Sequence, residues 1–279
     1  MSYKIVVDSC CELPGELKKD PRFEIVPLTL IVGEDYEKLD DEHFNQREFL
    51  DAVAACPKCP KSACPSPERY MEAYRTQAEH VYAVTLSSQL SGSYNSAVLG
   101  KNLYHDAYGE KDIYVVDSRS ASCGETQLAY KIMEYEEEGL SFAEITEKIE
   151  QYVKEMHTYF VLETLETLRK NGRLSRVKAL VASTLNIKPL MAGDNGSIVQ
   201  LGQGIGMKKA LAKLVETAVN DVRNAETRRL MITHCNNPSA AESVRKSIEE
   251  KIRVKEVLVM DTAGVSSMYA NDGGVIVTL

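Results

Sequence analysis

Two periods run through the apolar positions of this chain, and together they divide it into strands and helices. Val81-Tyr82-Ala83-Val84 is an unbroken apolar, β-rich run that reads as a buried strand. A helix-compatible segment follows from Ser93 to about Leu103. Tyr3 to Asp8 is the first strand, with Asp8-Ser9-Cys10-Cys11 at its end, and Pro14 to Lys19 is a short helix. Phe23 to Val32 alternates apolar and polar residues and is extended, whereas acidic Glu34 to Glu42 reads as a solvated loop. Gln46 to Ala55 places Phe49, Leu50 and Val53 on one helical face. Four prolines between Cys56 and Pro67 predict a loop, with Ser66 capping a helix that starts at Pro67. Asp112 to Asp117 is a strand, and Gly124 to Glu138 and Ser141 to His157 are helices. This β-α order predicts a mainly parallel sheet.

A boundary near Thr158 divides the chain into an N-terminal α/β domain, residues 1–157, and a C-terminal one, residues 158–279. In the second, Phe160 to Glu163 is a short strand leading into Leu165 to Lys170. Ser175, after the turn at Asn171-Gly172, caps a helix carrying Val177, Leu180 and Val181. Leu185 to Met191 is extended, Asp194-Asn195-Gly196-Ser197 is a hairpin turn, and Gly202 to Gly206 is a flexible turn. Helices at Lys208 to Arg223 and Pro238 to Ile252 alternate with strands at Leu230 to Thr233, Val257 to Met260 and Val275 to Leu279. Gly264 to Asp272 reads as a loop. The fold class is α/β: two α/β domains with mainly parallel sheets.

The 279 residues suit two domains, and 44% hydrophobic with 27% charged content is that of an ordinary globular protein. A formal charge of −8 argues against a nucleic-acid surface. No apolar run approaches the ~18 residues of a membrane span, and the first residues are too polar for a signal segment. The expected address is the cytoplasm. Seven cysteines, an odd number, argue against a disulfide framework.

The densest candidate chemistry lies between Thr85 and Ala97, where five serines and a glycine sit at a strand-to-helix junction. A helix start offers unpaired N–H donors and a positive dipole end, which suits a carboxylate or phosphate; a plain serine cap explains the same residues. Serine hydrolysis lacks its Gly-x-Ser-x-Gly elbow. Of His43, His80, His105, His157 and His234, only His234 stands at a strand end. Cys56-x-x-Cys59 with Cys64 opens like a zinc motif but lacks a downstream pair. Cys10 and Cys11 would join it only if the first strand's end reaches that loop. Gly202-Gln203-Gly204-Ile205-Gly206 misses both nucleotide-binding spacings.

Taken together, the motifs resemble the DegV family of fatty-acid-binding proteins, nearly end to end. Val7-Asp8-Ser9-Cys10 resembles the family's Asp-Ser-Thr strand ending. Ser62-Ala63-Cys64-Pro65-Ser66 is similar to its Thr-Ser-Gln-Pro-Ser loop, and Ser87-Ser88-Gln89-Leu90-Ser91-Gly92-Ser93 to its Ser-Ser-x-Leu-Ser-Gly-Thr motif. Asp117-Ser118-Arg119-Ser120-Ala121-Ser122 follows its Asp-Ser segment. The strongest match is Leu168-Arg169-Lys170-Asn171-Gly172-Arg173-Leu174-Ser175, continued by Leu185 to Leu190.

The resemblance implies a two-domain α/β protein that buries a long-chain fatty acid as its ligand, with no cofactor, and presents it to a separate fatty acid kinase. By position, the carboxylate would be held by Ser62 and Ser91, with Gly92 and Ser93 at the helix start, Ser93 as its cap, and Tyr269 and Arg173 nearby. Val177 to Leu185 and Ile187 to Met191 would line the acyl tunnel, where a dozen buried methylenes supply roughly 10 kcal/mol gross. Tyr269 stands where the family has histidine. Ile205 and Met207 stand where it has arginines, so the kinase-facing surface departs from the pattern. The rival reading is a cysteine-based redox or metal-binding enzyme using Cys10, Cys11, Cys56, Cys59 and Cys64.

Overall fold

A computed structural model describes residues 2–175, 177 and 186–279. The N-terminal half contains β1 (Tyr3–Asp8), β2 (Phe23–Val26), β3 (Thr29–Val32), β4 (Tyr36–Leu39), α1 (Gln46–Ala55), β5 (Lys61–Ala63), α2 (Pro67–Ala73), β6 (His80–Thr85), α3 (Ser93–Tyr108), β7 (Asp112–Asp117), α4 (Cys123–Glu137) and α5 (Phe142–Glu155). The C-terminal half contains β8 (Thr158–Val161), α6 (Glu166–Lys170), β9 (Ile187–Asp194), β10 (Ser197–Ile205), α7 (Gly206–Asp221), β11 (Arg229–His234), α8 (Pro238–Glu249), β12 (Glu256–Asp261), α9 (Gly264–Ala270) and β13 (Val275–Thr278). The helix expected at Val177 to Leu185 falls largely outside the described residues. Val177 itself packs against the cluster around Phe160 and Leu168.

The first sheet has strand order β2-β1-β6-β7 and is parallel throughout, with Val7 beside Val84 and Thr85 beside Asp117. Its central strand, β6, is buried along its whole length, as an unbroken apolar run requires. Because the strands are parallel, the loops after β1, β6 and β7 emerge at one edge, the carboxyl edge where open α/β sheets bind ligands.

The second sheet departs from the expectation of mainly parallel pairing. Its order is β10-β9-β8-β13-β11-β12, and only β11 and β12 run parallel. β9 and β10 form a hairpin, and the last strand, β13, inserts antiparallel between β8 and β11. Apolar periodicity identifies a strand but not the direction of its partner. Four smaller expectations are also corrected. Acidic Glu34 to Glu42 holds β4, and the proline-rich stretch holds β5; both pair antiparallel with β3. Gly202 to Ile205 is the end of β10 and not a flexible turn. Gly264 to Ala270 is a buried helix and not a loop.

α4 ties the halves together. Its first half, Cys123 to Tyr130, is buried on every side, as expected of a helix between two layers. It packs on β1 and β6 and also on β11 and β13. Its neighbour α5 is amphipathic and opens on a capping box, Ser141 with Glu144.

Candidate functional site

A narrow cavity lies between the carboxyl edge of the first sheet and one face of the second, with about 90 Å³ open to the centre of a water molecule. Leu86 and Leu90 reach it from the loop after β6, and Phe160 and Leu162 from β8 and just beyond. Ile198 and Ile276 reach it from β10 and β13. The β9–β10 hairpin closes one side. Its tip residue Gly196 has φ +82°, and Ser87 Oγ donates to its carbonyl at 2.7 Å. A Cβ at Gly196 would lie 2.6 Å from Ser87 Oγ, so a glycine is needed there on both counts.

Arg173 and Tyr269 converge at one end. The guanidinium carbon of Arg173 lies 5.7 Å from the Tyr269 ring centroid, its Nε donates to the Leu90 carbonyl at 3.1 Å and its Nη1 to that of Asn171 at 2.5 Å. Tyr269 Oη is buried and has no hydrogen-bond partner among the described residues. Burial raises its pKa, while nearby Ser62 and Arg173 act to lower it. No hydrogen bond closes between Ser62 and Tyr269, and the half-buried Ser62 stands near Tyr269 without lining the cavity. Three of the six expected site residues, Ser62, Arg173 and Tyr269, are thus brought together, and Arg173 and Tyr269 line the cavity itself.

Ser91, Gly92 and Ser93 do not line it, and the serine-rich junction is occupied with structural work. Ser88 Oγ donates to Asp117 Oδ2 at 2.5 Å, and Ser96 Oγ lies 3.8 Å from Cys64 Sγ. Nor is Ser93 the cap of α3, which has no side-chain cap bond. The cap residue of α3 is Gly92, and Ser91 Oγ accepts from the Ser93 amide at 3.2 Å. Ser93 is fully buried beneath.

A set of buried acids, unmarked by any sequence motif, stands at the loops around the cavity. Asp8, Glu12, Asp40 and Glu125 are each at most 3% exposed. Asp8 accepts the amides of Cys10 at 3.0 Å and Leu86 at 2.8 Å, which fixes the loops after β1 and β6 to each other. Burial raises the pKa of Asp8 and, more strongly, that of Glu125. It raises Asp40 to about 6 and Glu12 to about 7. Such acids are spread along the chain and show no common spacing.

The cysteines do not gather. Cys10 and Cys11 are buried at the end of β1, Cys56 packs against Gly33, Cys59 lies 3.6 Å from Asn171 Nδ2, and Cys64 is exposed. Among the described residues no three His, Cys, Asp or Glu side chains are arranged to hold a metal ion. His234 is buried, with Nδ1 3.3 Å from Asp261 Oδ1 and accepting the Asn237 amide, and burial lowers its pKa.

Fold and cavity define an α/β protein with an apolar chamber between its two larger sheets and a polar end. The family model described as "Uncharacterised protein, DegV family" matches residues 2–278, and the chain belongs to that family. It is 33% identical over 279 residues to a DegV domain-containing protein of Streptococcus gordonii, covering 99% of this chain and 98% of that one. A DegV-family protein of Ruminococcus gnavus, solved with vaccenic acid, superposes with a TM-score of 0.97 at 51% identity, covering 100% of this chain and 99% of the other. The Streptococcus pneumoniae Fatty Acid Kinase (Fak) B3 protein, solved with linoleic acid, gives a TM-score of 0.90 at 31% identity, over 100% and 99% of the two chains. No helix among the described residues is long and apolar enough to cross a membrane.

Proposed function

We propose that this protein binds one long-chain fatty acid, with its hydrocarbon in the chamber between the sheets and its carboxylate at Arg173, Tyr269 and Ser62. The observation that carries the reading is the buried, unpartnered Tyr269 hydroxyl beside the Arg173 guanidinium at the polar end of an apolar cavity. An unpaired buried donor costs roughly 1–3 kcal/mol, and a carboxylate oxygen removes that cost. The apolar lining matches an unsubstituted acyl chain, which gains about 0.8 kcal/mol per buried methylene. Structures of similar proteins holding vaccenic and linoleic acids support the same ligand class.

The chain acts as a carrier and not as the phosphotransferase, handing its acid to a separate kinase in the cytoplasm. Its likeness to a protein named as part of a fatty acid kinase supports this role. Ile205, 66% exposed at the end of β10, and Met207 at the start of α7 make that surface apolar where the family resemblance implies arginines. Organic extraction of purified protein with mass spectrometry tests the ligand. One fatty acid per chain is expected; a lipid-free protein that takes up no added fatty acid refutes the reading.

A further inference from the structure

Ser62, Arg173 and Tyr269 are brought together by three separate elements. Ser62 lies on β5, which pairs with β3 at the edge of the small third sheet. Arg173 follows the turn at the end of α6, and Tyr269 lies on α9. Among the described residues no backbone–backbone hydrogen bond joins any two of these elements. Their relative placement therefore depends on side chains.

Two asparagines supply the missing bonds. Asn171 ends α6, and its Nδ2 donates to the Pro60 carbonyl at 2.9 Å and lies 3.6 Å from Cys59 Sγ, in the segment that runs directly into β5. Its own carbonyl accepts Arg173 Nη1. One residue thus touches the arginine with its main chain and the approach to Ser62 with its side chain. Asn271 ends α9, two residues after Tyr269, with φ +57°. Its Nδ2 donates to the Tyr269 carbonyl at 3.0 Å and to the Thr164 carbonyl at 3.3 Å, while its Oδ1 accepts the Thr167 hydroxyl at 3.0 Å. Thr164 precedes α6, and Thr167, 6% exposed, lies in its first turn. One end of α6 is thereby bonded to the approach to β5 and the other to α9. Neither asparagine lines the chamber.

We propose that Asn171 and Asn271 are positioning residues for the carboxylate: they hold Ser62, Arg173 and Tyr269 at a mutual spacing that fits one head group. The proposal rests on the fatty-acid reading. A hydrogen bond to a carboxylate needs a donor at roughly 2.7–3.2 Å and weakens steeply off that geometry. An element that drifts by about 1 Å therefore forfeits its bond although its own side chain is intact. The hydrocarbon makes no such demand, because its burial is non-directional and follows area. Loss of either asparagine thus weakens the grip on the head group and leaves the grip on the chain. What the pair controls is discrimination between a fatty acid and a neutral lipid of the same length.

The test compares a long-chain fatty acid with the alcohol of the same chain length, each titrated into the whole protein as wild type, Asn171→Ala and Asn271→Ala. Each variant is expected to bind the acid about threefold to tenfold more weakly, the range of one hydrogen bond, and to bind the alcohol as tightly as the wild type does. Thr167→Val keeps the side-chain shape and removes the hydroxyl bond to Asn271, so it serves if Asn271→Ala folds poorly; the same selective loss is expected. In an Arg173→Ala background, adding Asn171→Ala is expected to cost less acid affinity than it does in the wild type. Equal weakening of acid and alcohol, no weakening of either, or an undiminished cost in the Arg173 background overturns the positioning role. A wild type that binds neither ligand refutes the fatty-acid reading itself, a result distinct from binding without the selective loss.

Discussion

Tyr269 and Ser91 carry the same kind of polar atom and are predicted to respond oppositely to its removal. Tyr269 Oη is buried without a partner, so its hydrogen bond is made with ligand or not at all. Tyr269→Phe is expected to weaken fatty-acid affinity about threefold to tenfold, the ~0.5–1.5 kcal/mol of one hydrogen bond, with the melting temperature unchanged or raised. Ser91 Oγ already accepts the Ser93 amide at the first turn of α3. Ser91→Ala is expected to lose about 1 kcal/mol of stability, the net worth of that one hydrogen bond, and to leave lipid retention unchanged. Ligand displacement and thermal denaturation on both variants check the pair; a Ser91 variant of normal stability that has lost its lipid reverses the assignment. Because a tyrosine whose pKa is raised stays neutral near pH 7, only Arg173 brings positive charge to the carboxylate end from among these three residues.

α9 shows how an element's position depends on a residue far away in the chain. The Asp40 carboxylate accepts the Gly264 amide at 2.8 Å and the Val265 amide at 2.9 Å, across more than two hundred residues. That bond holds the helix that carries both Tyr269 and the wall residue Ser266. Asp40→Ala leaves two buried amides unpaired and is expected to cost about 2–4 kcal/mol; urea titration measures it, and a loss below about 1 kcal/mol refutes the anchoring role. Legibility in the sequence follows the same division between local and distant causes. β6, β7 and α1 were readable because period and burial agree within each segment. Arg173 and Tyr269, which lie together at the cavity, were singled out through the family's motif order. Asp40 was not, because an acid-rich run looks solvated until α9 is placed over it. α9 was not either, since seven residues without charge give too short a period to separate from a loop. The direction of β13 was equally hidden, being set by where the chain end fits between β8 and β11.

At the scale of the whole molecule, the chamber exists only while the halves stay clamped, and part of that clamp is ionic. Glu134 on α4 bonds to Arg229 at the start of β11 and to Lys255 just before β12, at 2.5 Å for the lysine, and to Lys131 on its own helix at 2.9 Å. Burial alone would raise its pKa, but the three cations together hold it at about 2. The sign follows from linkage: a depressed carboxyl contributes stability that is complete above its unfolded value of about 4.5 and is lost as pH falls towards about 2. Asp40 acts oppositely. Raised to about 6, it binds its proton more tightly in the folded state, so its contribution declines as pH climbs from about 4 to 6. The wild type should therefore lose stability on the acid side through Glu134. Glu134→Gln should be less stable than the wild type at pH 6 and converge with it towards pH 2. Melting temperatures across that range check the prediction: a constant gap between the two proteins would mean that Glu134 packs the interface without its charge. Because the clamp joins α4 to β11 while the chamber lies between the same two sheets, the variant should also release bound lipid faster at pH 6 than the wild type does.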